Sequence, residues 1–286
     1  MRNGEEHLTT TCPLARFLPL PTPTPRRSGP FAPRCPLVAW RSFLKGVAVG
    51  LCFLVLAGLA FGQAPDSRAF DALLRANVRT GVVNYPGFQD NASFRAYVAE
   101  LAKPARFSGM NDELAYYINA YNALAIEGIL EGLSPSTLLG RARYFKFKEW
   151  PLAGRDITLY DLEHKVIRPL GEPRIHFAII CASKSCPFLR SEAYMAGSLD
   201  AQLDEQARQF VNDPFRNRFD KATRTAYLSE IFKWFDEDFR ASAGSTQKYI
   251  ARYVADADVA QGLATDGYRI EWIDYDWNLN GTPPRR

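Results

Sequence analysis

The sequence predicts a helix-rich α+β fold, a single domain in which a small central sheet packs on one buried helix. Three features predict it. The segment Asp112–Leu133 is apolar almost all round at helical spacing, the pattern of a helix enclosed on every side. Arg174-Ile-His-Phe-Ala-Ile-Ile180 is a near-continuous, β-rich apolar run that reads as a strand covered on both faces. Elsewhere the body has more helical stripes than alternating stretches.

Composition and charge divide the chain. Of 286 residues, 47% are hydrophobic and 23% charged, which excludes a disordered or collagen-like chain. Only one apolar run approaches membrane-span length, so a multi-span membrane protein is excluded as well. The formal net charge is +4, but residues 1–64 carry seven Lys/Arg against two Asp/Glu, leaving 28 against 29 in the remainder. The body therefore has no basic excess to drive nucleic-acid binding.

Residues 1–37 are rich in Pro, Thr and Arg and read as a disordered extension upstream of a true start near Val38. Residues 38–64 combine a basic region (Arg41, Lys45), an apolar run (Val47–Phe61) and Gly62-Gln63-Ala64. These are the parts of a secretory signal. Gly46–Pro65 also lacks charge over twenty residues, long enough for an uncleaved anchor. Either outcome puts the body, 65–286, outside the cytoplasmic membrane, periplasmic or extracellular, touching the membrane only through the N-terminal segment if uncleaved.

Within the body, Asp66 or Ser67 caps a helix that turns Phe70, Leu73, Leu74 and Val78 inward and stops at Gly81. Val82–Pro86 is extended, and a second helix near Phe94–Leu101 stops at Pro104. In the central helix Leu114, Tyr117, Ile118, Tyr121 and Ala125 share a stripe, so Asn119 and Asn122 face the interior. Gly154–Leu159 reads as a strand. Thr158-x-x-Asp161 resembles a capping box opening a helix that Pro169 closes. After the 174–180 strand come a Ser198-capped helix to Asn212, a strand at Thr225–Leu228, a Ser229-capped helix over Ile231–Phe239, a helix over Thr246–Val254 and a strand at Tyr268–Ile273.

Chemistry concentrates in Arg174–Arg190, which places a histidine in the apolar run and two cysteines in the loop beyond it. Cys181 is a candidate nucleophilic thiol, with Lys184 lowering its pKa, His176 or His164 as base and Asn119 orienting the base. Asn122, Ser183, Ser185 and Arg174 are candidates for holding a substrate. In an oxidising compartment Cys181 and Cys186 are equally a candidate disulfide. Alternation along a strand points His176 and Cys181 to opposite faces, which counts against their pairing. His164, His176, Cys181 and Cys186 have the residue types of a zinc site, but the spacing between the histidines fits no usual pair, so no metal is expected. Glu163 is a candidate for fixing His164 or Arg168 and equally for a surface pair. The bland readings are a hydrogen-bonded core histidine at His176, asparagines satisfying buried backbone, a fanned acidic run at Asp236-Glu237-Asp238 and packing at Tyr275-Asp276-Trp277.

Several motifs carry a resemblance: Tyr117-Ile-Asn-Ala-Tyr-Asn-Ala-Leu124, Leu162-Glu-His164 with Arg168, Arg174-Ile-His-Phe-Ala, Cys181-Ala-Ser-Lys-Ser-Cys-Pro187, Leu228-Ser-x-Ile-Phe-Lys-Trp234 and Tyr275-Asp-Trp277. In this order, over most of residues 112–280, they resemble the domain-of-unknown-function 547 family. The resemblance implies a bacterial, often exported, single globular domain without an established activity. Two functions from different classes stay open. One is a thiol-dependent hydrolase or acyl transferase acting on a small-molecule or peptide ligand, with no cofactor. The other is a disulfide-stapled binding or scaffolding module of the cell envelope.

Overall fold

The structure, a computed structural model, describes residues 62–63 and 65–285. The Pro-rich extension, the basic and apolar parts of the signal or anchor segment, and Cys12, Cys35 and Cys52 lie outside the described residues. Among the described residues no helix is long and apolar enough to cross a membrane.

The first helix, Arg68–Asn77, is opened by Asp66, whose Oδ1 accepts from the Arg68 N–H at 3.0 Å. It buries Phe70, Leu73 and Leu74, and Phe70 stacks on Tyr97 of the second helix, Ala92–Leu101. Asn91 caps that helix through two backbone N–H groups. The central helix spans Met110–Leu130, and every residue from Leu114 to Ile126 is buried, as its all-round apolar sequence requires. A hairpin of Glu149–Leu152 and Arg155–Thr158 turns at Ala153 and Gly154, both left-handed, with φ of 51° and 81°. The Thr158 cap is present: its Oγ1 accepts from the Asp161 N–H at 3.0 Å.

The helix that follows winds unevenly. It passes from α (Leu159–Asp161) through a widened π segment (Leu162–Ile167) to a tight 3-10 turn (Arg168–Leu170) ended by left-handed Gly171. Widened turns of this kind re-aim side chains and recur at functional sites. This one carries Glu163 and His164.

The apolar run 174–180 is buried as expected but is not a strand. Pro173–Phe177 is a 3-10 turn, started by Pro173 and by the Glu172 carboxylate accepting from the Arg174 N–H. Beyond it, side chains replace a ladder. Asn122 donates to the Ala178 carbonyl at 2.9 Å and accepts from the Ile180 N–H at 3.0 Å, while Gln206 donates to the Phe177 carbonyl at 3.2 Å. Buried backbone must be satisfied, and here two helices satisfy it with amides.

This turn lies between two apolar clusters. Ile175, Ala178, Ile179 and Ile180 join the larger, built on the central helix. Phe177 enters the smaller, between Phe210 and Phe239. The smaller cluster is covered by the helix Leu199–Val211 and by a sheet in which Thr225–Ser229 pairs antiparallel with Arg218–Asp220 and parallel with Arg269–Ile273. The helix expected over Ile231–Phe239 breaks at Phe235 into Glu230–Trp234 and Asp236–Ala243. The break lets Phe235 stack on the His176 ring, with centroids 3.8 Å apart. The fold is therefore helix-rich α+β, with its strands gathered into small sheets.

Candidate active site

The loop Cys181–Pro187 is held from two sides. On one, the C-terminal strand-and-loop returns across it. Lys184 N–H donates to the Asn278 carbonyl at 2.8 Å, Ser185 N–H to Asp276, and Asn280 N–H to the Ala182 carbonyl. On the other, Arg216 donates to the carbonyls of Cys186 at 2.8 Å and Lys184 at 2.7 Å. Such ties fix the loop's side chains before any ligand arrives.

Cys181 is half-buried and Cys186 buried, and both are free thiols, not joined at disulfide distance. The Cys181 sulfur lies 2.9 Å from Ser183 Oγ and 3.1 Å from the Tyr275 hydroxyl, and the Cys181 N–H donates to Cys186 Sγ at 2.7 Å. Burial acts to raise the Cys181 pKa. Hydrogen bonds from Cys186, Ser183 and Tyr275 outweigh it and bring the thiol down to about 7. Cys186 moves the other way, well above its ordinary value, through burial and its bond to Cys181. Tyr275 is likewise raised by burial and by the field of Cys181, so it keeps its proton and donates it. Lys184 is exposed and contributes its backbone; hydroxyls replace the expected ammonium.

Beside the thiol runs a second polar chain. His176 Nε2 lies 2.7 Å from Asp238 Oδ2, and Arg168 grips both oxygens of the same carboxylate at 2.8 and 2.7 Å. Arg168 also reaches His164 Nδ1 at 2.9 Å. Burial opposes ionisation of Asp238, but the bonds from His176 and Arg168 hold its carboxyl well below the usual carboxylate range. Burial lowers His176 against the pull of Asp238, and burial with the neighbouring Arg168 lowers His164 to about 4. Glu163 is pushed up to about 8 by burial, against Arg168 and with help from Cys181 and Asp238. Near neutral pH the chain thus holds an ionised Asp238, a neutral His176 donating from Nε2, and a protonated Glu163. Glu163 Oε1 lies 3.8 Å from His176 Nδ1, a buried nitrogen without a hydrogen-bond partner among the described residues.

The structure brings Cys181, Cys186 and Ser183 together but puts neither imidazole in hydrogen-bond contact with the sulfur. Asn119 does not orient a histidine: it donates to the Tyr194 carbonyl at 2.8 Å and accepts from the Tyr194 N–H at 2.9 Å. Asn122 is spent on Ala178 and Ile180. Arg174 is paired with Glu172, Asp200 and Asp204. Ser185 Oγ accepts from the Asp276 N–H at 2.9 Å, which secures the returning C-terminal segment. Among the described residues no group of three or more His, Cys, Asp or Glu is positioned to hold a metal ion.

Two participants, Asp238 and Tyr275, escaped the sequence. Asp238 is the member of its acidic run that reaches His176 and Arg168, on a helix that starts after the break at Phe235. Tyr275 looked like packing, and its ring does pack on Trp234 and Trp277, yet its hydroxyl ends on the thiol. Glu163, open between fixing His164 or Arg168 and a surface pair, is a buried acid 3.8 Å from His176. Only the Leu162-Glu-His164 motif hinted at it.

Residues 104–211 match the family described as "Protein of unknown function, DUF547". Comparison with curated proteins and with solved structures gives no match. The matched span holds the central helix, Glu163, His164, Arg168, His176 and both thiols, whereas Asp238 and Tyr275 lie beyond it. Over residues 104–211, then, the chain is similar to the DUF547 family, whose description assigns no function.

Proposed function

We propose that the protein is a thiol-dependent hydrolase or acyl transferase with Cys181 as nucleophile. One observation carries this reading: a half-buried sulfur held by two hydroxyls on a fixed loop, its pKa drawn to about 7. The lowered pKa enlarges the thiolate share near neutral pH, and the thiolate is the attacking species. Its electron pair forms the bond to an acyl carbon, and the carbonyl pair moves onto oxygen. Collapse expels an alcohol or amine, which takes up a proton. Ser183 and Tyr275, whose hydroxyls lie 2.9 and 3.1 Å from the sulfur, are the donors beside the reacting atoms. Protonated Glu163 is the proton store, and His176, fixed by Asp238, presents the Nδ1 lone pair that takes a proton from water during deacylation.

Incubating the full chain with p-nitrophenyl acetate tests this. Acetyl should accumulate on Cys181 and be released by turnover, and Cys181→Ser should abolish both. Nitrophenol release at equal rates from the parent and Cys181→Ser would overturn the proposal.

The second reading is an envelope module stapled by Cys181 and Cys186, favoured by the bond that sets these cysteines side by side. Absence of titratable thiol at either position in protein isolated without reductant supports it. We also read the body as exported, with residues 38–64 a cleaved signal or an anchor. N-terminal sequencing of the protein from soluble and membrane fractions decides between the two.

A further inference from the structure

One exposed face stands apart from the thiol chemistry. The helical stretch from Leu138 to Phe147 is anchored inward by Tyr144, which is wholly buried with its hydroxyl on the Ala125 carbonyl at 2.7 Å. Outward it shows Leu138, Leu139 and Phe147, which are 70%, 58% and 68% exposed. Such exposures describe side chains standing proud of the surface, not lining a cleft. Arg141, Arg143 and Lys146 lie among them, and none has an ion-pair partner among the described residues. From Gly132 to Lys148 the chain contains no Asp or Glu. Arg141 also donates to the Pro135 carbonyl and Lys146 lies over the Tyr160 ring at 4.9 Å, so these cations are held by neutral groups and keep their charge. Protruding apolar tips among cations without a carboxylate partner among the described residues, along roughly 15 Å of helix, are the chemistry of interfacial contact with an anionic bilayer.

We propose that this face docks on membranes bearing anionic phospholipid headgroups, a second contact in addition to any made by the N-terminal segment. Burying three large apolar side chains supplies an uncharged contribution, and the cations select the headgroup. Docking here also orients the thiol. The Arg141 guanidinium lies over the Trp277 ring at 4.5 Å, Trp277 packs on Tyr275 at 4.6 Å, and the Tyr275 hydroxyl meets Cys181. The proposal does not depend on what Cys181 does.

Amide hydrogen exchange of the full chain, read by mass spectrometry, tests it on pure phosphatidylcholine vesicles and on vesicles mixed with phosphatidylglycerol. The readout stays informative even if the N-terminal segment inserts, because both vesicles then carry the protein. Peptides covering 138–147 should exchange more slowly on the anionic vesicles only. Each cation near such a surface is worth roughly a factor of five in partition. Arg143→Gln with Lys146→Gln should therefore raise the anionic lipid needed for half protection roughly thirtyfold. Leu138→Ser, Leu139→Ser and Phe147→Ser together should remove the protection. Unchanged exchange of peptides covering 114–126 shows in the same spectra that the variants are folded. Equal exchange on both vesicles, protection only in another segment, or protection that survives both sets of substitutions would overturn the proposal.

Discussion

Replacing Tyr275 by phenylalanine removes one hydroxyl from the Cys181 sulfur and little else. The ring keeps its packing on Trp234 and Trp277, and the hydroxyl that is lost lies 3.1 Å from the sulfur and also interacts with Ser183. A hydrogen bond to a charged group contributes about 1.5–3 kcal/mol, and one pKa unit corresponds to about 1.4 kcal/mol. Tyr275→Phe should therefore raise the Cys181 pKa from about 7 by about one to two units. The thiolate share at neutral pH then falls from about half to about a tenth or less. The assay is iodoacetamide alkylation of the full chain from about pH 5 to pH 10, with the modified site read by peptide mass. The midpoint at Cys181 should move upward while the thermal transition stays in place. An unchanged midpoint would refute the claim that hydroxyl donors set the reactivity of this thiol, and first modification at Cys186 would refute the assignment of the nucleophile.

Other residues give further tests. The Glu163 pKa is raised on folding, from the ordinary carboxylate range to about 8, so the folded state holds a proton that the unfolded chain loses. That contribution is fully present below about pH 4.5 and is lost as pH rises to about 8. Glu163→Gln should thus gain on the parent between pH 5 and pH 8, by up to roughly 4 kcal/mol in urea unfolding, and an equal difference at both pH values would count against a buried acid. Asn122→Ala leaves the Ala178 carbonyl and the Ile180 N–H without partners and should cost about 2–4 kcal/mol in the same measurement, against a few tenths for a surface asparagine. Asp238→Asn removes the charge that pairs with Arg168 and steadies His176. Deacylation of the acetyl-enzyme should slow by about a hundredfold, more than its formation.

Local pattern carried the helices. The all-round apolar sequence of 114–126 can be satisfied only by enclosure, and Thr158 lies at capping spacing from the Asp161 N–H it binds. Burial of 174–180 was legible for the same reason, because apolar surface leaves water whatever the backbone does. Its conformation was not. A strand and a turn of equal composition bury the same side chains, and the choice rests on which partners meet the backbone polar groups. Those partners, Asn122 and Gln206, arrive from helices on either side in sequence.

The site divides in the same way. The sequence determined that thiols, histidines, Glu163 and Arg168 share one stretch of chain, because spacing along a polymer is a covalent property. Tertiary structure alone decided that Asp238, 62 residues from His176, completes the imidazole pair and that Tyr275, 94 residues from Cys181, completes the thiol. A hydrogen bond depends on distance and direction in space, and only packing brings such remote atoms within hydrogen-bond reach.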